Sequence, residues 1–231
     1  MILGFSALQR TGLRDGLLAF YKLSNTSDSS GRGNTLTNNG DPMVAFVAGK
    51  IGNAAEFDNL NYLETESVDL TGLTALTVCF WVQHQDQEAD DLNEVAGDWA
   101  AGAGPIVIAF GGLGQFGLYG YSTLGIRINT SVDDFTVIDP TDRNSDWRFI
   151  AIRYTGTSLQ LRTNNGAYTT TVVTGSPALD FSNGYFRLGD GGDEMPVADG
   201  DKLDAFGIWS RALSDGEIDA LYNNGTGREL P

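Results

Sequence analysis

The sequence predicts an all-β chain, a two-sheet antiparallel sandwich with one short helix near its C-terminus, on three observations. Glycine makes up 30 of 231 residues, about twice the usual ~7%, which marks a chain that turns often. Twelve short runs rich in β-branched and aromatic residues are bounded by Gly, Asn, Asp or Pro, the pattern of strands between turns. Only one segment carries helix start and stop signals. With 41% hydrophobic residues the chain is globular rather than disordered, and its length is ample to bury a core.

In order, the strand runs are 16–21, 43–48, 54–57, 75–82, 105–110, 123–129, 134–138, 147–154, 158–163, 169–173, 185–189 and 202–209. In 147–154 (WRFIAIRY) both alternate sets mix apolar with basic residues, as in a strand buried over part of both faces. Asn165-Gly166 lies between 158–163 and 169–173 and predicts a hairpin in which glycine supplies a positive φ. No Pro- or Ser-rich linker and no internal repeat interrupts the pattern. The expected organisation is an arm over residues 1–15 and one domain over 16–231.

The helix lies in RALSDGEIDALYNNGTG. Ser214 followed three residues later by Glu217 is a capping box, and Leu213 with Ile218 can close a hydrophobic staple around it. Leu221 and Tyr222 continue the apolar side, and Gly225 is the expected stop. About two turns cannot stand alone in water, so packing against the sheet is the expected role.

Thirty acidic residues against 14 basic ones give a formal charge of -16, a field that repels polyphosphate backbones and anionic membranes. Nucleic acid and membrane insertion are therefore not expected partners. The opening lacks the 7–15 residue apolar stretch of an export signal, and no window reaches the ~20 apolar residues of a membrane span. Cys79 is the single cysteine, so no internal disulfide forms; inside ALTVCFWV it reads as a small hydrophobe. His84 is the single histidine, which removes zinc motifs that need two, and its setting in QHQDQEADD reads as an exposed loop.

The succession GLLAFYKL, DSSGRGN (28–34), AGKIGNAAEFD (48–58), LTALTVCFWV (73–82), Trp147 with FIAIRY, FRLGD (186–190) and KLDAFGIWSRALSDGEIDALYNNG (202–225) resembles the laminin-G-like, concanavalin-A-like jelly-roll family over roughly residues 16–226. The resemblance implies a jelly-roll sandwich of the kind that often serves as a carbohydrate-binding or adhesion module. It also implies one calcium ion, held by Asp28, Gly31, Asn34 and Asp204. Oxygen donors of these kinds suit Ca²⁺, and the same residues suit an ordinary turn. The acidic stretch 190–201 lacks the arrangement of an EF-hand and reads as a solvated loop.

Catalytic patterns are weak. Glycoside hydrolysis needs two carboxyl groups facing one another; Glu217-Ile218-Asp219 falls on the capping helix and Glu64-Thr65-Glu66 in an expected connecting segment. His84 has no Gly-x-Ser-x-Gly elbow to meet it. Residues 112–117 match a dinucleotide fingerprint, but the glycines that follow argue against the helix which that fingerprint needs. A sugar-binding surface wants aromatic platforms beside polar groups, and Trp99, Tyr119 and Tyr121 are the candidates; the alternative is that these rings close the ends of the core. The expected function is a non-catalytic binding or structural module, first of all a decoration, fibre or tail component of a phage virion, anchored to other virion proteins by the arm and able to meet host-surface glycans. A bacterial cell-surface or exported adhesion module is the alternative, with a glycoside hydrolase behind it. Association with further copies of itself stays open.

Overall fold

The computed structural model describes residues 12–58, 60–66, 68–84, 93–99, 106–110, 124–130, 133–139, 145–179, 185–189 and 200–230. The described strands are β1 (Leu17–Tyr21), β2 (Thr37–Gly40), β3 (Ala45–Ala48), β4 (Asn53–Glu56), β5 (Asn61–Thr65), β6 (Leu76–Gln83), β7 (Asn93–Trp99), β8 (Ile106–Phe110), β9 (Leu124–Asn129), β10 (Asp134–Asp139), β11 (Arg148–Tyr154), β12 (Ser158–Thr163), β13 (Thr169–Val172), β14 (Tyr185–Leu188) and β15 (Lys202–Trp209), followed by helix α1 (Asp215–Tyr222). They form two antiparallel sheets. One runs β13-β12-β11-β6-β15-β4-β3, with β1 also on β15; the other runs β10-β9-β8-β7-β14-β5-β2. The two-sheet sandwich with one short C-terminal helix is the predicted fold.

Strands β2, β5 and β7 were not foreseen. Asn61 and Thr65 take inward positions of β5 and are buried, so the alternation is present but written partly in polar letters. The Glu64-Thr65-Glu66 string is therefore not a connecting segment: Glu64 and Thr65 close β5.

Between the sheets, Val78, Phe80, Val82, Ile150, Ile152, Phe206 and Ile208 meet Leu63, Ile126, Ile128, Phe186 and Leu188. Phe206 stacks on Phe80 at 5.1 Å between ring centroids and tilts against Phe186 at 5.8 Å, joining the layers. A second core lies on the outer face of the eight-stranded sheet, where Cys79, Trp81, Phe149, Ala151 and Trp209 are covered by Leu13, Leu213, Ile218, Leu221 and Leu230. The centre of that sheet is buried on both faces, which is why all of β11 except Arg153 is buried. Burial pushes the Cys79 thiol far up, consistent with a packing role.

The cover is fastened by polar contacts. Ser214 and Glu217 make both bonds of the capping box, and Leu213 and Ile218 of the staple are buried. Helix α1 ends differently from expectation: Asn223 takes the left-handed cap at φ 49°, three residues on from Ala220 in the sequence and before Gly225 is reached. The β12–β13 hairpin also forms, but Asn164, at φ 54°, holds the left-handed position; its side-chain oxygen accepts from Phe149 N–H at 3.0 Å, a local bond that lets Asn tolerate this conformation. The end of the expected arm belongs to the domain. Leu13 is 1% exposed, its carbonyl accepts from Trp209 Nε1 at 2.7 Å, and Arg211 donates to the carbonyls of Gly12 and Asp15. Residues 1–11 lie outside the described residues.

Candidate functional site

The outer face of the seven-stranded sheet is built differently from that of its partner. In β5, Asn61, Leu63 and Thr65 point to the core while Tyr62 and Glu64 point away. In β14, Phe186 and Leu188 are buried and Arg187 lies between them, half-buried. Register sets Arg187 opposite Glu64 on one side and Gly97 on the other. The same row continues through Thr37 on β2 and through Val107, Arg127 and Thr136 on β8, β9 and β10.

At the centre of this row Arg187 Nε donates to Glu64 Oε2 at 2.5 Å, with the two side chains 15% and 18% exposed. The Arg187 guanidinium also lies 4.4 Å from the centroid of the Tyr62 ring. A planar guanidinium braced by a carboxylate and an aromatic face is a rigid set of donors, beside an aromatic ring that an apolar sugar face can meet. Trp99 ends β7 and pairs through its backbone with Tyr185. Tyr119 and Tyr121 lie outside the described residues. Tyr62, Glu64 and Arg187 were not foreseen as a group, because the signal is a register between segments distant in sequence.

The residues named for calcium divide into two places. Asp28 anchors the 28–34 turn on β1: its oxygens accept from Phe20 N–H at 3.1 Å, Ser30 N–H at 2.8 Å, Ser30 Oγ at 2.7 Å and Asn34 N–H at 3.0 Å. Burial works to raise this carboxyl, and the bonds from Ser30, Phe20 and Asn34 outweigh it and hold it below the ordinary 3.8. Asn34 Nδ2 donates to the Leu18 carbonyl at 2.8 Å, and Gly31 takes φ 86° in the turn. Asp204 sits elsewhere, wholly buried on β15, with Oδ2 accepting from Ile51 N–H at 2.7 Å and, among the described residues, Oδ1 without a hydrogen-bond partner. Burial pushes it up to about 7, against backbone bonds from Ile51, Lys50 and Ala205. The hydrogen-bond partners of Asp28 and Asp204 share no residue. With its oxygens taken up by N–H and O–H donors, Asp28 is arranged as a turn anchor.

His84 is not on an exposed loop. It is 0% exposed, and its Nδ1 lies 2.6 Å from Asp201 Oδ2, itself buried. The pair extends the register by one step, since Gln83 and Lys202 are neighbours on β6 and β15. The acidic stretch therefore ends in a buried carboxylate, not a solvated one; its residues 190–199 lie outside the described residues, as do residues 112–117.

A sandwich with one sheet buried on both faces and the other carrying a polar outward face defines the class of protein. Residues 57–219 match the Laminin_G_3 family, the concanavalin A-like lectin/glucanases superfamily, and the chain belongs to it. No curated protein matches the sequence. Among solved structures, the chain is similar to the binding domain of Paraclostridial Mosquitocidal Protein 1 (TM-score 0.71, 16% identity, 92% of this chain and 53% of that one). It is also similar to the botulinum neurotoxin serotype D binding domain (0.72, 11%, 94% and 53%), and to the binding domain of botulinum neurotoxin DC in complex with SialylT (0.68, 13%, 91% and 52%). The chain spans about half the length of these structures, and at such identities the likeness is one of fold.

Proposed function

We propose that this chain is a non-catalytic binding module whose ligand is carbohydrate, taken on the outward face of the seven-stranded sheet around Tyr62, Glu64 and Arg187. The observation that carries this reading is the Arg187–Glu64 pair braced on Tyr62, a preorganised polar and aromatic patch on a fold whose other sheet is covered. Position 99 falls on the same pleat as position 187 in the register, so Trp99 is kept among the residues we propose for the ligand. The described partner of Glu64 is a guanidinium where a glycosidase would set a second carboxyl. The fold likeness to binding domains of toxins supports the same reading. We further propose that the module serves adhesion from the surface of a phage virion, a setting supported by its acidic balance, which discourages DNA binding. A glycan array tests the function: the expected result is a hit that Tyr62→Ala, Arg187→Ala and Trp99→Ala each weaken at unchanged melting temperature. An empty array, or a hit indifferent to all three, overturns it. Mass spectrometry of purified particles tests the setting.

A further inference from the structure

Among the described residues five strands end a sheet path, and the 28–34 turn covers β1, where Ser29 N–H donates to the Phe20 carbonyl at 2.7 Å. The edges at β2 and β3 are tied across the corner by Asn38, which accepts from the N–H of Val44 and donates to its carbonyl, both at 3.0 Å. At the β10 edge the Thr136 carbonyl accepts from Thr171 Oγ1 at 2.7 Å. Charges and covered backbone groups are how native sheets keep their edges from pairing with another chain. Among the described residues the remaining edge, β13, has no charge and no cover on its open side, while its Thr171 hydroxyl reaches across to β10. Its sequence is Thr169-Thr170-Thr171-Val172, β-branched throughout, without charge or proline, and Val172 is 73% exposed.

We propose that β13 is a self-pairing edge: a second copy of this chain adds across it, antiparallel, with Thr171 on the twofold axis. Val173 N–H bonds the Thr157 carbonyl at 2.9 Å, and Thr171 and Thr169 lie opposite Leu159 and Leu161. These alternate residues direct their backbone groups to β12, and the alternation of an antiparallel ladder turns the N–H and C=O of Thr170 and Val172 to the open side. A copy turned end for end sets Thr170 opposite Val172 of the partner subunit, and Val172 opposite Thr170 of the partner subunit. Each pair can exchange both of its backbone bonds, so the edge is complementary to itself, which a closed dimer requires.

Charge selects a second copy as the occupant. The chain carries -16, so two copies repel over most approaches. Residues 164–179 hold no charge, and Tyr168, just before β13, is stacked by Arg153 at 4.5 Å and Arg162 at 5.6 Å, whose partners are Asp215 and Asp219. Within residues 164–179, copies meeting here set no acid against acid.

Sedimentation velocity of the full chain over a wide concentration range, paired with amide hydrogen exchange, tests the proposal. The expected result is a concentration-dependent dimer in which the Thr170 and Val172 amides gain protection, while those of Thr169 and Thr171 are protected at every concentration. Val172→Lys is expected to abolish the dimer with Thr169 and Thr171 still protected, which reports an intact hairpin, and Val47→Lys on β3 is expected to leave the dimer in place. A wild-type monomer at all concentrations, or a dimer that survives Val172→Lys, overturns the proposal.

Discussion

Glu217 joins three parts of the cover over the eight-stranded sheet, and its charge should carry a measurable share of stability. Its carboxylate takes Arg211 Nη2 at 2.6 Å and Arg211 Nη1 at 3.0 Å, and accepts from Ser214 N–H at 2.9 Å. Arg211 in turn holds the Gly12 and Asp15 carbonyls. The bonds from Arg211, with those from Ser214, outweigh burial and lower the carboxyl from 4.5 to about 2. At about 1.4 kcal/mol per pH unit this corresponds to about 3 kcal/mol, which exposure of the Arg211 side chain (25%) reduces to about 2 kcal/mol. Because the folded value is the lower one, the stabilisation is complete above 4.5 and is lost as pH falls through about 2. Urea unfolding of wild type and Glu217→Gln at a series of pH values is the assay. The variant should be less stable by about 2 kcal/mol at pH 7, with the difference shrinking by roughly 1 kcal/mol towards pH 3.5. A difference that is absent at neutral pH, or constant down to pH 3.5, refutes the reasoning.

The same linkage runs the other way at Asp204, whose carboxyl is raised from 3.8 to about 7: its stability is complete below 3.8 and is lost as pH rises through 7. Asp204→Asn should therefore gain on wild type by up to about 4 kcal/mol between pH 4 and pH 8, and parallel unfolding curves would exclude this. Gly207→Ala would place a Cβ 2.5 Å from Trp209 Cη2 and 3.0 Å from Phe20 Cδ2; overpacking of this kind costs about 1–3 kcal/mol, read as a lowered urea midpoint, and an unchanged midpoint contradicts the packing. Asp28→Ala should cost about 1–3 kcal/mol by leaving the Phe20 and Asn34 amides unpaired, equally with calcium or with chelator. A chelator-sensitive melting temperature that vanishes in Asp28→Ala would instead establish the calcium site.

Most of the fold was legible because its signals are local. The capping box needs only Ser214 and Glu217 three residues apart, and β6, β11 and β15 advertise themselves by continuous apolar runs that two covered faces require. Strand β5 was hidden because Asn61 and Thr65 occupy buried positions in the pattern, so polarity no longer reports the side of the sheet. His84 misled for a related reason: its sequence neighbours are polar, and the partner that makes its burial tolerable, Asp201, arrives from 117 residues away. A polar residue can be buried when paired, and the pairing is invisible until β6 and β15 are neighbours.

The site shows the same dependence more sharply. Tyr62 and Glu64 come from β5 and Arg187 from β14, and nothing in either segment singles these residues out; they meet because Leu63 and Leu188 fix the register of two strands by their burial in the core. A one-residue slip would turn Arg187 and Glu64 inward and their apolar neighbours outward, so the core that holds the sheets together also holds the polar face in place. The covered sheet sharpens the contrast. Its outer face is occupied by Leu13, α1 and Leu230, which gives that layer a structural load on both sides and leaves the outward pair of Arg187 and Glu64 to the other sheet.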